Sequence, residues 1–92
     1  MLLEIPALPV AGTNFSVTLR DYVGKGRVAV SVGGQLLLEQ DCDDPPCHEV
    51  VFLTRELAGR ELKVVATAGV ERLERSFLIG TKEGQGGAMV AG

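Results

Sequence analysis

The chain predicts an all-β domain, two antiparallel sheets packed as an immunoglobulin-like sandwich of about seven strands. Three observations predict it. Apolar residues recur with a period of two along most of the chain, as in strands with one buried face. Turn signals built from Gly, Pro and Asp interrupt these runs at the spacing of short strands. No stretch sustains the helical period of about 3.6 residues.

Taken in order, the start "LLEIPALPV" fits an edge strand, because its prolines cannot donate to a central ladder. In "NFSVTLRD" Phe15, Val17 and Leu19 point one way and Ser16, Thr18 and Arg20 the other. "RVAVSV" repeats the pattern with Val28, Val30 and Val32 inward. Gly33-Gly34 then separates it from "QLLLEQ", and a glycine pair between apolar runs is a two-residue hairpin signal. "HEVVFLT" is a strand whose core set is either Val50 and Phe52 or Val51 and Leu53. "RELAGR" reads as a corner with one helical turn stopped by Gly59. "ELKVVATA" places Leu62, Val64 and Ala66 on one face, Ala68-Gly69 turns, and "VERLERSFLI" returns with Leu73, Phe77 and Ile79 opposite Arg72, Glu74 and Ser76. The expected core therefore contains Phe15, Val17, Val28, Val30, Val64, Leu73 and Phe77. After Gly80, the segment with Gly84, Gly86 and Gly87 carries no charge beyond Glu83. Residues 1–80 are thus expected as the sandwich and 81–92 as a Gly-rich flexible tail or linker stub. The alternative is that Ala88, Met89 and Val90 dock as a strand on another subunit.

Two of these segments carry a family likeness. "AGTNFSVTLRDYVGKGRVAVSVGG" followed by "LAGRELKVVATAGVERLERSFLI" resembles the immunoglobulin-like modules of prokaryotic surface and extracellular proteins. CARDB-type adhesion modules and bacterial fibronectin type III-like domains share this rhythm. In those families a Gly-containing corner precedes the penultimate strand and a final hairpin closes the sandwich. The likeness covers residues 5–79 and implies the architecture. The antibody hallmarks are missing: there is no Trp, and Cys42 and Cys47 are expected to sit too close together to bridge two sheets.

Composition bounds the function. Ninety-two residues make one domain. A net charge of −3, with Lys and Arg interleaved among acids, argues against a nucleic-acid surface. The aromatics are Phe15, Tyr22, Phe52 and Phe77, too few for a stacking platform. No apolar run reaches the length of about 20 residues that spans a bilayer, and "MLLEIPALPV" lacks the basic start of a signal peptide. Few amides (Asn14, Gln35, Gln40, Gln85) and more Arg than Lys lean towards a thermophilic source.

Chemistry concentrates in "DCDDPPCHEV", which holds both cysteines and the only histidine. A zinc site would use Cys42, Cys47, His48 and one of Asp41, Asp43 or Asp44. Structural zinc sites draw ligands from two separated clusters, and here there is one loop, stiffened by Pro45-Pro46. His48, next to Cys47 at a strand start, would tend to face the other way. A redox motif has two residues between its cysteines and sits at a helix N-terminus; four intervene here, among acids that raise a thiol pKa. Calcium on Asp41, Asp43 and Asp44 lacks the spacing and bidentate Glu of an EF-hand. The spacing favours a Cys42–Cys47 disulfide closing a loop between two strands. That implies an oxidising compartment or the cytoplasm of a thermophile.

With one His and no free hydroxyl clearly paired to it in the sequence, a Ser–His–acid constellation is not expected. Gly24-Lys25-Gly26 is a turn, not a phosphate loop. The "ERLER" stripe reads as the solvated face of a strand. The expectation is a non-catalytic interaction or spacer module of a cell-surface or secreted protein, without cofactor, facing a protein partner or neighbouring domain. The alternatives are a filament or virion subunit assembled by strand addition and a small metal-binding or redox protein using Cys42, Cys47 and His48.

Overall fold

The computed structural model describes residues 1–81 and 88–89. Among these residues eight strands follow one another: β1 (Leu2–Glu4), β2 (Asn14–Arg20), β3 (Gly26–Val32), β4 (Gln35–Cys42), β5 (Cys47–Phe52), β6 (Glu61–Ala68), β7 (Glu71–Leu78) and the two-residue β8 (Ala88–Met89). They form two antiparallel sheets, one in the order β1-β2-β5 and the other β4-β3-β6-β7-β8. The sheets face each other as a sandwich, as the alternation requires.

Alternation sets which side chains lie between the sheets. Phe15, Val17 and Leu19 of β2, Val28, Val30 and Val32 of β3, and Leu62, Val64 and Ala66 of β6 are all buried. Phe15 meets Phe77 of β7 edge-on across the interface, with ring centroids 6.1 Å apart. Leu19, Leu53 and Leu62 are fully enclosed, each contributing about 2–3 kcal/mol of transfer free energy. The register Phe15↔Val51 and Leu19↔Cys47 resolves the ambiguity of β5. Val51 and Leu53 are the inward pair, while Val50 and Phe52 face outward.

The turns follow their residues. Gly33 and Gly34 both have positive φ (56° and 85°), the primed geometry that matches strand twist. β6 and β7 are joined through Gly69-Val70, one residue later than expected, with Ala68 paired to Glu71. The corner after β5 is a 3-10 turn at Arg55–Leu57, and Gly59 beyond it has a φ of 80°.

Three expectations need correction. The N-terminal edge strand is short: after Glu4 the chain leaves β2 at Ile5-Pro6. It rejoins the fold beside the other sheet, where Val10 bridges Gly80 in parallel. Ala11 N–H donates to Gly80 and Gly80 N–H to Pro9, so the chain clasps both sheets at that end. Prolines, which lack a donor, occupy the crossing. Leu73 lies on the core-facing side opposite Ala66 but is only half-buried. The three-stranded sheet is too narrow to cover this part of β7, and Arg75 on the same face is exposed. The third concerns Cys42 and Cys47, which lie on strands of different sheets. The tail expected at 81–92 lies mostly outside the described residues. Within it, Ala88–Met89 pairs with Leu78 and Phe77 of this same chain.

Candidate functional site

β4 ends one edge of the larger sheet and β5 forms one edge of the smaller, and the two edges meet at a corner of the sandwich. Asp43-Asp44-Pro45-Pro46, with a cis bond between the prolines, carries the chain across. Cys42, the last residue of β4, pairs with Gly26; Cys47, the first of β5, pairs with Leu19. They are disulfide-bonded, with Cα atoms 5.7 Å apart. The expected local staple is present, yet it does bridge the two sheets, contrary to the sequence-based expectation. Closeness in sequence misled because the connection itself changes sheets. Two facing sheets lie only about 10 Å apart, a gap that four residues span with ease.

Tyr22 closes the core beneath this corner. It is buried, and its hydroxyl finds no hydrogen-bond partner among the described residues. Burial holds its phenol above the usual pKa, and the carboxylates of Asp44 and Asp43 push in the same direction. Its ring lies directly on the backbone of Gly26. A Cβ at that position would stand 2.8 Å from Cε2 and 2.9 Å from Cζ of the ring. Gly26 is therefore needed for close approach rather than for an unusual φ. Tyr22, with Arg20, Asp21, Val23, Pro45 and Pro46, lines a shallow open groove beside the staple.

The residues considered as metal ligands part company. His48 is exposed on the outer face of the small sheet, and its Nδ1 is hydrogen-bonded at 2.7 Å to Oγ1 of its cross-strand partner Thr18, a hydroxyl pairing not expected from the sequence. Asp41 accepts a 2.8 Å bond from Arg27 Nε on the outer face of the large sheet. Asp43 and Asp44 are exposed in the crossing. The carboxylate that does approach the sulfurs is Glu49, outside the ligand set expected from the sequence. Strand parity points to it, since Cys47 and Glu49, two apart, share a face that His48 cannot.

On the outer face of the large sheet, charges pair across strands and, for Arg72 and Glu74, along β7. Arg27 meets Glu39 at 3.3 Å, and Glu74 meets Lys63 at 3.1 Å and Arg72 at 3.0 Å. Hydrogen bonds from Lys63 and then Arg72 hold the Glu74 carboxyl below its usual range. This is the "ERLER" stripe, and it is solvated.

The class of protein these features define is a small antiparallel sandwich stapled between its sheets. No family model, curated protein or solved structure matches the chain. Among the described residues, no helix is long and apolar enough to cross a membrane.

Proposed function

We propose that the chain is a non-catalytic interaction or spacer module of a cell-surface or secreted protein, built on an immunoglobulin-like, fibronectin type III-like plan. The observation that carries this reading is the position of the cysteine pair. Both sulfurs are joined across the sheets, so the residues with the most reactive chemistry serve the scaffold. Small domains with limited cores rely on such bonds where the compartment is oxidising. Strand order supports the plan. β2 pairs with β5 and β3 with β6, the crossed connections of a Greek-key sandwich. The fourth strand joins β3 rather than the sheet of β1, β2 and β5. A spacer presents a stable, solvated body, and the cross-strand ion pairs on the outer face of the large sheet fit that role.

One observation favours a second reading, a subunit assembled by strand addition. β5 is an edge strand carrying exposed Val50 and Phe52, 47% and 57% accessible. Sedimentation of the oxidised protein from low to high micromolar concentration separates the two. A spacer module stays monomeric throughout. Association that grows with concentration and disappears in Val50→Lys would replace it with the filament reading.

A further inference from the structure

We propose that, once the Cys42–Cys47 bond is reduced, the same corner binds zinc through Cys42, Cys47 and Glu49. The inference stands apart from the module reading, because it concerns the thiol form of the corner. Cys47 and Glu49 lie on the inward side of β5, in register with Leu19 and Val17, and Cys42 reaches them from β4 in the other sheet. The sulfurs and a Glu49 carboxylate oxygen all lie within 4.8 Å of one another. Tetrahedral zinc, with Zn–S about 2.3 Å and Zn–O about 2.0–2.2 Å, needs ligand atoms roughly 3.4–3.8 Å apart. The freed sulfurs reach that separation by side-chain rotation.

Glu49 is otherwise hard to place. Its strand partner Val17 is buried at 1% exposure, yet Glu49 turns a carboxylate towards the same side and is half-buried. It forms no ion pair among the described residues. An inward acid can also guard an edge strand against unwanted pairing, and the experiment distinguishes the two roles.

The chemistry balances with a phosphine as reductant. The phosphine gives two electrons to the disulfide, the S–S bond breaks, and water supplies a proton to each sulfur and an oxygen to the phosphine oxide. Zinc then displaces both thiol protons, forming two Zn–S bonds and one Zn–O bond to Glu49, with water in the fourth position.

The test uses the full chain in excess phosphine, titrated with zinc against a chromogenic chelator and separately with Co²⁺. Reduced wild type should bind one equivalent and show the thiolate-to-cobalt bands of a tetrahedral site, whereas the oxidised protein should bind none. Glu49→Gln should weaken zinc binding at least about ten-fold, the order lost when even a supporting group of a metal site is removed. His48→Ala and Asp43→Ala should leave affinity unchanged. Oxidised Glu49→Gln with wild-type melting shows that the fold is intact. If it does not fold, Glu49→Asp should weaken zinc binding and alter the cobalt spectrum, and an unaltered spectrum overturns the proposal. No zinc uptake by reduced wild type also overturns it. Equal affinity in Glu49→Gln does so too, and leaves Glu49 as an edge guard.

Discussion

Replacing Gly26 by alanine tests whether Tyr22 is the cap of the stapled corner. Gly26 opens β3 with an ordinary negative φ, so alanine brings no backbone strain of its own. In an open site it would even stabilise by about 0.4–1 kcal/mol, through a less flexible unfolded chain. Here the new methyl carbon would lie 2.8 and 2.9 Å from two ring atoms of Tyr22 and 3.3 Å from Leu19 Cδ2. Ordinary contact between carbons begins near 3.5 Å, so the ring must retreat by roughly half an ångström or more. It has little room, because Tyr22 is 6% exposed and Leu19 wholly enclosed. Overpacking of this kind costs about 1–3 kcal/mol. For a domain of this size a net loss of about 2 kcal/mol lowers Tm by about 8–16 °C. Thermal and urea unfolding followed by circular dichroism should show it, with little change in the denaturant slope. In a Tyr22→Leu background most of the penalty should vanish, since the two sites share one contact. An unchanged or raised Tm in Gly26→Ala, or an equal loss in both backgrounds, would refute the placement of Tyr22.

Replacing both Cys42 and Cys47 by serine should cost about 2 kcal/mol of stability and leave a strand-type circular dichroism spectrum, because a short loop restricts the unfolded chain modestly and the strands hold most of the buried area. Loss of all structure on this substitution would show that the staple carries the fold. Tyr22→Phe removes a buried hydroxyl that has no partner among the described residues, so stability near neutral pH should rise by about 1 kcal/mol in chemical denaturation. Because the folded phenol titrates above 10, the folded state holds its proton where the unfolded chain has lost it; wild-type stability should fall as pH rises beyond 10, and Tyr22→Phe should flatten that fall. Glu74 has the opposite sign: its folded pKa lies below 4.5, so its contribution is present above that pH and lost as pH drops through the folded value, and Glu74→Gln should shallow the acid side of the stability profile.

Much of the fold was legible because the sandwich imposes a simple code. Strands with one covered face must alternate, and β2, β3 and β6 do so without exception in their core positions. The glycine pair at 33–34 announced its hairpin for the same kind of local reason. β5 was ambiguous because "VVF" offers no polar marker, and only pairing with β2 chose Val51 over Val50. Leu73 has the right parity but the wrong neighbourhood, and sheet width is a tertiary fact that no periodicity encodes. At the candidate site the disulfide was readable from spacing, and the outward turn of His48 from parity. The span of that bond between sheets was hidden, since nothing in "DDPP" states that the chain changes layers. The stacking of Tyr22 on Gly26 was equally hidden: two residues four apart meet across a turn in which Asp21 and Gly24 take positive φ, a local geometry that no periodicity encodes.

The Cys42–Cys47 bond ties the two sheets together. Intact mass measured on protein exported to an oxidising compartment, treated with an alkylating agent before and after reduction, tests it most directly. The expected result is a mass two hydrogens below that of the dithiol, no alkylation until a reductant is added, and a Cys42–Cys47 linked fragment in a non-reducing digest. Two alkyl groups added to the folded, unreduced protein would contradict it.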